Sequence, residues 1–280
     1  MRPRSIPLII ILILCLILPA AGSGADRTYA VGVVPQFEIR RIREIWAPIL
    51  AAVSDQTGID LELAGAPSIP RFEKALNAGA FDFAYMNPYH LIVAHREQGY
   101  RPLVRDVGRT LYGIIVVRKD SPLQRVEALD GKTIAFPSPN ALGAALLPRA
   151  EFARKFNFDI TPKYVKSHTS VYLNVLTRQT DAGGGVQKTL EQQDPIVRDA
   201  LRILYRTTEV APHPLAVHPR VEPAVREAVR SAFLALGAEE KGRALLADIP
   251  IRRIGPASLD DYAPLIEMGL DAFYARDVLP

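Results

Sequence analysis

The chain has 280 residues, 49% of them hydrophobic and 23% charged, with 34 basic against 30 acidic side chains. That length and apolar content suit one large or two smaller domains with their own cores, and exclude a disordered or fibrous chain. The near-balance of charge, without a long basic run, excludes nucleic acid and anionic lipid as partners.

At the start, Arg2 and Arg4 precede an apolar run from Ile6 to Leu18 and then the small-residue segment PAAGSGA. This order predicts a cleavable secretory signal over residues 1–25, cut at Ser23-Gly24-Ala25, and export to the periplasm. The run is short for a membrane span. Cys15, the one cysteine, lies inside it, so the exported chain has no thiol to form a disulfide or bind a metal.

Strand-like and helix-like segments then alternate. TYAVGVVP predicts a buried strand, and Ile42, Ile45, Trp46, Ile49, Leu50 and Val53 follow at helical spacing. Next come IDLELAG (strand), IPRFEKALNAG (helix), FDFAYM (strand) and PYHLIVAHREQG (helix), the last opened by Pro88 and stopped by Gly99. LYGIIVVRKD crosses to a second block: KTIAF, one helix over ALGAALLPRAEFARKF kinked at Pro148, KYVKS, SVYLNVLTRQ and DAGGGV. The last third returns through LRILYRTTE and PLAVHP to a helix with Val221, Val225, Val229, Ala232, Phe233 and Leu236 on one face, stopped by Gly237. Such alternation implies an α/β fold, and two blocks joined by crossings imply a cleft that binds a small molecule.

One turn stands out. FPSPNALGA leads from the strand KTIAF into a helix, where unpaired N–H groups and a positive dipole suit an anion. Asn140 offers a side-chain amide there, or simply caps the helix. Histidines 90, 95, 213 and 218 are scattered without ligand-like spacing, so no metal site is expected. Neither a nucleophile elbow nor a Ser/His/Asp order in recognisable context points to an enzyme.

In this order, GVVPQFEIRRIREIWAPIL, FDFAYMNPYHLIVA, YGIIVVRKDSPLQRVEALDGKTIAF and SHTSVYLNVLTRQTDAGGGV resemble the periplasmic phosphate/phosphite/phosphonate-binding family of ABC transporters, from about Tyr29 to Asp271. The resemblance implies a type II periplasmic binding fold: two lobes, each a mixed, mostly parallel sheet flanked by helices, closing on a ligand without catalysis or cofactor. The first lobe would comprise residues 26–112 and 208–280, the second 113–207, with Tyr112 and Gly113 at the hinge. The implied function is a monomeric receptor that captures a small oxyanion or organophosphonate for a membrane permease. The alternative is a sensor of the same fold with a diverged ligand, signalling to a membrane histidine kinase.

Phosphonate-binding members resembling this chain carry Ser-Thr-Ser-Gly at the turn where it has Ala141, Leu142, Gly143 and Ala144. Backbone N–H groups and Asn140 would have to substitute for the hydroxyls. The resemblance also implies ligand contact by Tyr85, Asn87 and Tyr89, which could equally serve as a strand end and helix cap. His168 would donate an N–H from SHT, with Thr169 beside it as donor or cap. Asp181 matches an acidic position that pairs a ligand ammonium, or is an ordinary strand-end aspartate.

Overall fold

A computed structural model describes residues 27–249 and 251–276; the predicted signal and Cys15 lie outside the described residues. In the first block β1 (Tyr29–Val33), α1 (Ile39–Thr57), β2 (Leu61–Ala64), α2 (Ile69–Asn77), β3 (Phe83–Tyr85), α3 (Pro88–Gln98) and β4 (Arg101–Asp106) follow one another. The second holds β5 (Ile114–Arg118), β6 (Thr133–Phe136), α4 (Leu147–Arg154), β7 (Thr161–Tyr164), α5 (His168–Leu176), β8 (Ala182–Gly185), α6 (Gln187–Glu191), α7 (Pro195–Arg198) and β9 (Leu201–Arg206). The chain ends with β10 (Pro214–Val217), α8 (Pro223–Ala238), α9 (Glu240–Asp248), β11 (Ile254–Pro256) and α10 (Ala263–Glu267).

Two mixed sheets result, ordered β11-β4-β10-β3-β1-β2 and β7-β6-β8-β5-β9. Strands β1, β2 and β3 pair in parallel, as do β6, β7 and β8. The strands flanking each passage between sheets, β4 with β10 and β5 with β9, pair antiparallel. This follows from connectivity: the chain leaves the first sheet on β4 and re-enters it on β10, so the two run in opposite directions.

Local chemistry sets the element ends. On α1 the buried face is Ile42, Ile45, Trp46, Ile49, Leu50 and Val53, and Gly58 closes the helix with a left-handed backbone, its N–H reaching Ser54 O. Asn87 caps α3 by accepting the His90 N–H, Pro88 occupies the first turn, and Gly99 ends the helix at φ 75°.

Two expectations are corrected. The helix expected over 141–156 starts as a π-turn over Leu142–Leu146, and α4 begins only at Leu147. Pro148 has no N–H for the bond to residue 144, and Leu146 donates instead to Ala141 O and Leu147 to Leu142 O, each five residues back. Gly237 does not stop α8, which runs to Ala238. Its place reflects packing: a Cβ there would lie 2.4 Å from Ile254 Cγ2 on β11.

The two passages lie side by side. Leu111 and Val210 exchange both backbone hydrogen bonds at 2.8 Å, and the Gly113 N–H donates to Thr207 Oγ1 at 2.8 Å. A Cβ on Gly113 would stand 1.8 Å from Gly143 O, so the π-turn rests directly on the passage. The same tight packing explains the glycine run of β8, where a Cβ on Gly184 would lie 2.0 Å from Ala144 O.

Candidate functional site

A cavity of about 640 Å³ opens where the C-terminal ends of β1 and β3 meet the two passages and the start of α6. From the first-sheet side it is lined by Gln36, Phe37, Tyr85, His213, Arg243, Ile251 and Arg252, and along the passage by residues 108–112. Val186, Gln187, Lys188, Thr189 and Glu191 line it from the second. The strand ends of an α/β sheet leave this space open, because the helices that cover the sheet begin only after a turn.

Its charge is predominantly positive: Arg109, Lys188, Arg243 and Arg252 face one acid, Glu191. Arg109 and Lys188 are partly buried, while Arg243 and Arg252 are exposed at the rim. Arg109 Nε stands 3.0 Å from Asp106 Oδ2, although its N–H is not aligned for a hydrogen bond. Among the described residues no carboxylate lies within ion-pair distance of Lys188, Arg243 or Arg252; Arg243 donates to the Ala238 carbonyl instead. Asp106, 1% exposed, organises this corner by accepting the backbone N–H groups of Gly108 (2.8 Å), Arg252 (2.9 Å) and Arg253 (3.1 Å).

The neutral groups are held firmly. His213 stacks on Tyr85, with ring centroids 5.5 Å apart, and its Nε2 meets Gln36 Nε2 at 2.9 Å. Burial, with the nearby Arg109 charge adding to it, pushes His213 down to about 3, so the imidazole is neutral and accepts from the Gln36 amide. Tyr112 donates to Gln187 Oε1 at 2.5 Å, tying the passage to α6.

A family described as ABC transporter, phosphonate, periplasmic substrate-binding protein matches residues 31–262. The chain belongs to that family. It is similar to the phosphate-import protein PhnD of Mycolicibacterium smegmatis, 19% identical over 255 residues that cover 78% of each chain. The binding component of an ABC phosphonate transporter from Pseudomonas aeruginosa superposes with a TM-score of 0.78 at 18% identity, over 89% of both chains. PhnD1 from Prochlorococcus marinus, in complex with methylphosphonate, gives 0.77 at 15% identity over 88% of this chain and 98% of its own. A Xanthomonas citri protein bound to ATP gives 0.73 at 20% identity over 89% and 98%. The fold is that of type II periplasmic binding proteins, and the family is a substrate-binding transport component rather than an enzyme family.

Of the residues implied by the family resemblance, Tyr85 and Tyr112 line the cavity, and Gly113 lies just beyond it in the passage. His168 stands behind the lining, its Nδ1 3.3 Å from Thr189 Oγ1, and burial holds it down to about 4. It therefore brings a neutral imidazole and no charge. Thr169 is exposed and makes no part of the lining.

Asn140 is corrected from anion donor to structural bridge. It is fully buried; its Nδ2 donates to Glu73 Oε2 (3.1 Å) and Ala275 O (2.8 Å), its Oδ1 accepts the Ala275 N–H (2.8 Å), and its carbonyl accepts from Asn87 Nδ2 (3.1 Å). Asn87 is thereby committed as cap and bridge, and Tyr89 is buried against the Tyr274 ring. Ala141 precedes the π-turn and Leu142 and Gly143 open it; all three are buried, with Ala141 and Leu142 part of the core. Asp181 is misplaced by strand direction: it precedes β8 and accepts the Thr133 N–H at 2.9 Å, at the end of the sheet away from the cavity, whereas Val186 follows β8 and lines the cavity.

Proposed function

We propose that this protein captures a ligand bearing a phosphonate- or phosphate-type oxyanion in the cavity between its two sheets and presents it to the permease of an ABC transporter. The carrying observation is the set of cations without carboxylate partners, Lys188, Arg243 and Arg252, around a cavity that holds one acid. Cations gathered without counter-charge repel one another, and an anion relieves that repulsion. In this reading the ligand is gripped by the passage, α6 and the first-sheet rim, while the Ala141–Gly143 turn supports the hinge. The methylphosphonate complex of the Prochlorococcus marinus relative supports the ligand class.

Export follows from the same reading, with residues 1–25 removed and the protein working in the periplasm as a monomer. The test is calorimetric titration of the exported protein with inorganic phosphate, phosphite and methylphosphonate, together with co-purification from membranes. Saturable binding of an anion and recovery of a permease are expected. Binding of neutral analogues alone, or recovery of a sensor kinase without a permease, would overturn the proposal.

A further inference from the structure

The cavity is far larger than a bare oxyanion. One water needs about 10–15 Å³ of such space, and the 640 Å³ here exceeds that many times over. Phosphate and methylphosphonate each have only a handful of non-hydrogen atoms. Spaces of several hundred Å³ are typical of sites for ligands with an organic body.

The lining points the same way. A small oxyanion is best held where donors surround it on all sides, and an apolar wall contributes nothing to it. Here the rings of Phe37, Tyr85 and Tyr112 and the side chain of Ile251 share the wall with the cations. The cations also come from different elements. Arg109 and Arg252 meet at one carboxylate: Asp106 Oδ2 stands 3.0 Å from Arg109 Nε and accepts the Arg252 backbone N–H at 2.9 Å. Lys188 approaches from α6 on the other sheet, with Tyr112 and Gln187 joined beside it.

Resting on the reading of the site as an oxyanion receptor, we infer that the physiological ligand is a phosphate ester or phosphonate carrying a ring-sized organic group and at least two negative charges. Its charged end sits at the Arg109–Arg252 corner and reaches toward Lys188. Its organic body lies against the aromatic wall.

Titration calorimetry and thermal shift on the full exported chain separate the possibilities, with inorganic phosphate, methylphosphonate, phenyl phosphate, adenosine 5′-monophosphate, adenosine 5′-diphosphate and adenosine as probes. The expected result is at least a tenfold tighter Kd for a ring-bearing phosphate than for methylphosphonate. Phe37→Ala should erase most of that difference while leaving methylphosphonate binding within about twofold. Lys188→Gln should weaken the diphosphate more than the monophosphate. Methylphosphonate binding as tightly as every ring-bearing probe would overturn the inference and leave the oxyanion reading standing. Adenosine binding as tightly as its phosphates, or no probe binding at all, would bring down the oxyanion reading itself.

Discussion

The side-chain amide of Asn140, at the turn leaving β6 in the second sheet, donates to the carboxylate of Glu73 on α2, which packs on the first. The bond is buried and has company: Glu73 Oε1 lies 2.8 Å from His90 Nε2, and Asn140 also holds both backbone groups of Ala275. The two halves of the molecule and the C-terminal segment therefore meet at one side chain.

Replacing Asn140 with alanine should consequently act on stability before binding. Hydrogen bonds to charged groups contribute about 1.5–3 kcal/mol, and the Glu73 oxygen and the Ala275 groups would be left buried with fewer partners. Chemical denaturation should show a loss of about 2–4 kcal/mol. If the midpoint is unchanged while ligand affinity falls, Asn140 is a ligand donor and the bridging role is wrong.

Much of the fold could be read in advance because local signals agreed with the global ones. The buried face of α1 and the Asn87-Pro88 start and Gly99 stop of α3 needed only spacing and cap chemistry. The site was harder to read. Arg109, Lys188, Arg243 and Arg252 lie far apart in the chain, and each resembles any other among 34 basic residues until the fold gathers them. The turn at 141–144 carries an anion-site pattern in sequence but packs as core, because Ala141, Leu142 and Ala144 are buried apolar side chains. Asp181 takes the strand-end role, holding the Thr133 N–H just before β8, because an acidic residue beside a strand carries no sign of which strand end meets the cleft.

The cations should separate by burial. Lys188 and Arg109 are partly sheltered, so Lys188→Gln should weaken an anionic ligand by roughly tenfold to a hundredfold, as for loss of a charge-assisted hydrogen bond. Arg243→Gln, at the exposed rim and away from the Arg109–Arg252 corner, should change the association rate and its dependence on salt more than the affinity. Stopped-flow binding at two ionic strengths distinguishes the two behaviours.

Acid should expose the buried imidazoles. His168 and His213 fall from an ordinary value of 6.5 to about 4 and about 3, so between those limits the unfolded chain holds protons that the folded chain does not. Stability must then decline as pH falls below about 6.5, by up to about 1.4 kcal/mol per pH unit for each histidine. His168→Gln should flatten this decline by up to one proton's worth in urea titrations run from about pH 7 to about pH 5. Ligand affinity near neutrality should not change through His168, which is already uncharged there.

Gly113 admits a sharper test of the packing between the π-turn and the passage. Because a Cβ would collide with Gly143 O, Gly113→Ala should force the π-turn off the passage, costing at least about 1–3 kcal/mol as overpacking does. The sheets should also sit farther apart on average, giving a larger radius in small-angle scattering without ligand. An alanine variant with unaltered stability and scattering would show that the two backbones do not meet so closely in solution.

Restoring hydroxyls to the turn supplies the last test. With Ala141→Ser, Leu142→Thr and Gly143→Ser made together, three hydroxyls return to the turn, and a site built on this turn should gain affinity for methylphosphonate. The structure argues the opposite. Leu142 is 2% exposed within the core, so threonine there removes buried apolar volume and buries a hydroxyl, at a cost of about 2–4 kcal/mol. A Cβ on Gly143 would also press on Val186 Cγ1 at 2.9 Å, disturbing the wall of the cavity. The triple variant should therefore melt lower and bind methylphosphonate no better. A folded triple variant with clearly improved methylphosphonate affinity would place the oxyanion at the turn and remove it from the Arg109–Lys188 cavity.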